Sequence, residues 1–131
     1  MVALPPEHRL AKQRRITLQK LAGEPFVMMK RSSAAALHDW ILNLCHEAGF
    51  VVQVAKLADL PESILELVAC GFGVALLPGL FNRVPSKVVF RPLPRTTPKL
   101  QLSLVWRRDN ETPILKAFLE ILRPRLNKIK T

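Results

Sequence analysis

Tyrosine is missing from this 131-residue chain, and Phe and Trp together supply only 6% of it. A module that reads nucleic acid usually sets its basic side chains among aromatic or polar readers, so the shortage argues against that class. Cysteine occurs twice, as Cys45 and Cys70, with no C-x-x-C spacing. Both lie inside apolar helical runs and are expected to be reduced, buried thiols. Long apolar runs are lacking too. The longest uncharged stretch, Leu67 to Asn82, is interrupted by Gly71, Gly73, Pro78 and Gly79. It falls short of the roughly 20 residues of a membrane span. The N-terminus has Pro5 and Pro6 followed by charges, unlike a signal peptide. These absences predict a soluble, cytoplasmic protein, and an apolar fraction of 49% predicts a real core.

Acidic side chains are the other scarce class: 10 against 20 Lys plus Arg, a formal net charge of +10. Residues 1–31 hold seven bases and two acids, residues 32–86 two and five, and residues 87–131 eleven and three. The excess therefore sits at both ends. The runs 9–15 (RLAKQRR) and 123–130 (RPRLNKIK) read as solvated flanks. Nonspecific nucleic-acid binding driven by the net charge is the alternative reading.

What is present is an alternation of strand and helix patterns. Val2–Leu4 is a short apolar stretch. Thr17 is placed to cap a short helix stopped by Gly23. Phe26–Met29 (FVMM) and Gly73–Leu77 (GVALL) have the continuous apolar character of strands buried on both faces. Ser32 and Ser33 are placed to cap a helix whose Leu37, Ile41, Leu44 and Ala48 share one stripe. Phe50–Ala55 reads as a strand. Asp59 to Glu62 has capping-box spacing ahead of a helix with Ile64, Leu67 and Val68 inward. Lys87–Leu93 and Leu100–Trp106 read as two more strands. Thr112-Pro113 starts a last helix with Ile114, Leu115, Phe118 and Leu122 inward, ending at Pro124. The order predicts an α/β architecture with a mainly parallel sheet.

No catalytic constellation is visible. A nucleophile elbow and a P-loop are lacking. Gly71-Phe72-Gly73 follows a helix and precedes a strand, the reverse of a dinucleotide fingerprint. His38 and His46 lie about 12 Å apart along one helix, too far for one ion. Asp39 and Glu47 are likewise two turns apart. No metal or cofactor is expected. One segment carries a binding hypothesis. Lys30-Arg31-Ser32-Ser33 lies between a buried strand and a helix start, where unpaired N–H groups favour an anion.

Taken together, the segments resemble the effector-binding domain of LysR-type transcriptional regulators. Val2 to Pro5 with His8 to Ala11, Thr17 to Phe26 (TLQKLAGEPF), and Ala48-Gly49-Phe50 resemble successive blocks of that family. So do Leu67 to Pro78 (LVACGFGVALLP), the most specific block, and Leu104 to Asp109 (LVWRRD) with Pro113 and Phe118-Leu119. The resemblance implies a periplasmic-binding-protein-like (type 2) lobe with a mixed, mainly parallel sheet and flanking helices. Residues 1–95 would be the second lobe with its hinge crossovers. Residues 96–131 would be a strand and helix returning to a first lobe that this chain, truncated at its N-terminus, largely lacks. The helix-turn-helix would be absent too. The returning elements would then need another partner, such as a second copy. By resemblance the effector contacts fall on Met28, Met29, Lys30, Arg31, Ser32, Ser33, Phe72 and Gly73. The implied ligand is a small molecule, often an organic anion. With only one wall of the cleft, weak effector affinity, no sequence-specific DNA binding, no membrane contact and self-association are the expectations. A stand-alone small-molecule-binding or oligomerisation module is the rival.

Overall fold

The computed structural model describes residues 1–98, 104–107, 109 and 112–129. Two units are present, Met1–Leu100 and Gln101–Thr131. In the first, the chain order is β1 (Val2–Leu4), β2 (Pro25–Met29), α1 (Ala35–Glu47), β3 (Gln53–Ala58), α2 (Pro61–Ala69), β4 (Ala75–Leu76) and β5 (Val89–Arg91). Short 3-10 turns cover Arg9–Lys12, Leu18–Leu21 and Gly79–Arg83.

β1 pairs antiparallel with β4 on one side and β5 on the other. β2 pairs parallel with β3. A parallel bridge between Phe26 and Val74 joins the two sheets, closed by Val27 N–H to Val74 O and Val74 N–H to Pro25 O, each 2.8 Å. The continuous order is β3-β2-β4-β1-β5, a mixed sheet.

Period-2 alternation distributes the central strands between two apolar layers. Val2 and Leu4, Phe26 and Met28, and Val74 and Leu76 face the layer built with Ile41, Leu44 and Cys45 of α1 and with Leu10, Ile16 and Leu21. Ala3, Val27, Ala75 and Leu77 face the layer built with Ile64, Leu65 and Val68 of α2. Burial on both faces explains why β2 and β4 read as unbroken apolar runs.

Both helices of this unit end in Schellman geometry. Phe50 N–H reaches Cys45 O at 3.1 Å past Gly49 (φ 91°), and Phe72 N–H reaches Leu67 O at 3.1 Å past Gly71 (φ 81°). Gly73 meets a stricter demand. A Cβ there would lie 2.2 Å from Pro25 O, at φ +152°. The β2–β4 junction is built on that close backbone approach.

Several expectations are corrected. The strand expected at Phe50–Ala55 is β3, Gln53–Ala58, because Phe50 and Val52 pack against the α1 layer instead of pairing. Thr17 makes no side-chain cap, and α2 has Leu60, not Asp59, at its N-cap, with Pro61 in the first turn. Cys70 is exposed, since it is the C-cap of α2, while Cys45 is fully buried.

In the second unit, α3 runs Pro113–Ile129. Thr112 caps it, its Oγ1 accepting the Leu115 N–H at 3.2 Å. The helix continues through Pro124 instead of stopping there. Pro124 gives up one N–H donor and crowds the carbonyl four residues before it, which costs the helix stability without ending it here. Leu115, Leu119 and Leu122 are half-buried, whereas Ile114 and Phe118 are exposed, not inward. The strand expected over Leu100–Trp106 lies outside the described residues up to 103, and Leu104–Trp106 form no strand. Among the described residues, no helix is long and apolar enough to cross a membrane.

Candidate functional site

β2 and β3 end side by side. Lys30 N–H donates to Ala58 O at 2.8 Å, then Ser33 and Ala34 N–H both turn back onto Lys30 O at 3.0 and 3.1 Å. This turn feeds α1. The N-cap is Ala34, with no side-chain cap hydrogen bond, so the expected capping by Ser32 or Ser33 does not occur. Ser33 Oγ instead donates to Asp59 Oδ1 at 2.8 Å, and Lys30 Nζ to Asp59 Oδ2 at 2.7 Å. Ser33 lies one residue before the N-cap, and its hydroxyl proton goes to the Asp59 carboxylate, a charged acceptor. The first N–H groups of α1 therefore meet no side-chain acceptor from its own N-cap.

Arg31 grips Asp39 on the same helix end, Nε to Oδ1 and Nη2 to Oδ2, both 2.8 Å. The Lys30 bond, then that of Ser33, holds the Asp59 carboxyl below its ordinary value; the Arg31 bond does the same for Asp39. The turn's two cations are thus balanced by two carboxylates. His38 binds Met29 O through Nδ1 at 2.7 Å. A carbonyl only accepts, so Nδ1 carries the proton and a neutral ring presents Nε2 as an acceptor. The Ser32 hydroxyl makes no protein hydrogen bond among the described residues.

The residues singled out from sequence thus separate into two groups. Met28 is buried, Met29 half-buried, and Lys30, Arg31, Ser32 and Ser33 form the exposed turn. Phe72 and Gly73 are not brought to that turn. Gly73 lies against Pro25, at the opposite end of β2, roughly 16 Å away at about 3.3 Å per residue. The reason is direction: β4 runs parallel to β2, so the segment that precedes β4 meets the start of β2. Lys56 Nζ sits 5.2 Å from the Phe72 ring centroid, a cation–π contact. Asp59, Asp39 and His38 are the residues that sequence reasoning missed here. The signal available was Asp59 at the end of a strand, and it pointed to capping.

No group of three or more potential metal-ligating side chains occurs among the described residues. The arrangement offers helix N–H donors, hydroxyls and a neutralised charge set at the carboxyl end of parallel strands. That is where open α/β sheets bind ligands.

The LysR substrate binding domain family matches residues 1–127, and the chain belongs to that family. It is 26% identical over 125 residues to the HTH-type transcriptional regulator AlsR of Bacillus subtilis, covering 92% of this chain and 40% of the relative. HinK, a LysR family transcriptional regulator from Pseudomonas aeruginosa, superposes with a TM-score of 0.80 at 23% identity, over 98% of this chain and 45% of that one. The effector binding domain of QuiR in complex with shikimate gives 0.72 at 20% identity, over 97% and 60%. These likenesses establish the periplasmic-binding-protein-like type 2 fold. The chain spans about two fifths of the length of the curated relatives it matches.

Proposed function

We propose that this chain is the ligand-sensing part of a cytoplasmic LysR-family regulator, with residues 1–95 as its second lobe and no catalytic role. The ligand is a small hydroxylated organic anion. It is held at the turn after β2 by the N–H groups of Ala35 and Ala36, by Ser32 and by the Arg31 edge, with Met28 and Met29 behind. The observation that carries this is the uncapped start of α1 beside the ends of β2 and β3. A helix N-terminus with no acceptor of its own suits an external carboxylate. Shikimate in the QuiR complex has that chemistry. Because Asp39 and Asp59 already offset Arg31 and Lys30, the site suits a monoanion rather than a polyanion.

The test is amide chemical-shift mapping of the isotope-labelled chain during titration with shikimate and other hydroxylated monocarboxylates. Shifts confined to Lys30–Leu37 and to Asp59 are expected, and Ser32→Ala should weaken them. Shifts centred on Phe72 and Gly73, or none at tens of millimolar ligand, would overturn the reading. An oligomerisation role is the second reading, favoured by the exposed Ile114, Phe118 and Ile121 on α3.

A further inference from the structure

The basic side chains of the run at residues 9–15 are exposed, but its backbone is anchored to the lobe. Leu10, Ala11 and Ile16 are buried in the core beside Leu18 and Leu21. Ile16 N–H is held by Pro92 O at 3.2 Å, and Ala11 O by Arg91 Nε at 2.9 Å. The segment is therefore a fixed part of the lobe's surface. Arg9, Lys12, Arg14, Arg15 and Lys20 project from it, all exposed.

Residues 8–23 contain no acid at all. Glu24, the nearest one downstream, is engaged by Arg9 at 2.6 Å and by His8 at 3.2 Å. Lys20 Nζ rests on the neutral Gln13 Oε1 at 2.7 Å. Among the described residues, Lys12, Arg14 and Arg15 meet no carboxylate. Arg95, also exposed, follows closely on the Pro92 tie. This contrasts with the turn after β2, where each cation has its own acid.

We infer that this patch docks on the phosphate backbone of duplex DNA, without reading its sequence. Unpaired guanidinium forks match phosphate oxygens, and contacts to phosphate position a protein without specifying bases. No Phe, Tyr or Trp precedes Phe26, so the segment itself offers no large ring for stacking single-stranded bases. The matched relatives are transcriptional regulators of the helix-turn-helix type, which makes duplex DNA the polyanion at hand. The patch would hold the lobe against DNA flanking a site read by another module. This inference is independent of the ligand site.

The test is fluorescence anisotropy of the whole 131-residue chain with a short labelled duplex of arbitrary sequence, between about 50 and 200 mM salt. Binding should fall with a log–log slope of about −3 to −4, given roughly 0.9 per neutralised phosphate. Lys12→Gln/Arg14→Gln/Arg15→Gln should flatten that slope by about 2.7. Arg123→Gln/Arg125→Gln should change it far less per charge removed. Circular dichroism should show both variants folded, since all five side chains are exposed. No binding at the lowest salt, or an unchanged slope in the triple variant, would overturn the inference. So would an equal loss per charge in the tail variant. Polyglutamate competing as well as duplex at equal charge would assign the patch to an acidic protein instead, which also overturns it.

Discussion

Lys30 and Asp59 close a 2.7 Å ion pair across the ends of two neighbouring parallel strands, and Ser33 adds a second bond to the same carboxylate. The pair is solvent-exposed, and its effect on stability is correspondingly modest. Its pH dependence has a definite sign. Asp59 titrates below its ordinary value when folded. Its contribution is therefore full above the unfolded carboxyl range, near about pH 4, and is lost as pH falls through the folded value. Thermal melts of the parent and Asp59→Asn should differ at neutral pH and converge in acid. A gap that persists unchanged at low pH would contradict this.

Gly73→Ala should be the most damaging glycine substitution. The added Cβ meets Pro25 O at 2.2 Å, and only movement of β2 or β4 can relieve it. A loss of more than about 3 kcal/mol is expected, from strain in a tightly packed core. Gly23, Gly49 and Gly71 have positive φ but open space around them. Alanine at each should cost about 1 kcal/mol. Urea denaturation of the four variants measures the contrast.

The two thiols should react at very different rates. Burial pushes Cys45 up to about 11, so almost none of it is thiolate at neutral pH, and the core shields it. Cys70 is exposed at the end of α2. A chromogenic disulfide reagent should titrate Cys70 alone in the native protein and both thiols in denaturant. Cys70→Ser should abolish the native signal.

On α3, Ile114, Phe118 and Ile121 stand at i, i+4 and i+7 and are 83%, 50% and 61% exposed. Such a row promotes association. Replacing all three by Gln should lower the apparent mass in light scattering at high concentration. The urea midpoint of the β1–β5 unit should stay unchanged.

Much of this architecture is legible in the amino-acid order, for a physical reason. β2 and β4 are buried on both faces, so their whole composition is apolar and short runs suffice to mark them. Helix ends are legible where they depend on one residue, as at Gly49 and Gly71. The start of α1 was not. Ser33 and Asp59 each look like a local cap, yet they bond to each other across 26 residues. Neither partner's choice is visible without the parallel register of β2 and β3. β3 was displaced for a related reason. It has a neighbour on one side only, and its exposed Val54 and Leu57 dilute the alternation that marks a half-buried strand. The site suffered from direction: Phe72 and Gly73 are near β2 in space, but at its far end.

β1 pairs with β4 through Val2 and Leu76, and with β5 through Val2 and Arg91. During synthesis its three buried residues must therefore wait for the ninetieth residue or so to leave the ribosome. At about 5–20 residues per second this is a delay of roughly 4 to 18 s. Until β4 emerges Val2, Ala3 and Leu4 have no partner strand, and until β5 emerges β1 is still an open edge of an unfinished sheet, available to a chaperone or to another nascent chain. Slowing translation between β4 and β5 should therefore lower the yield of folded protein more than slowing it after Leu93.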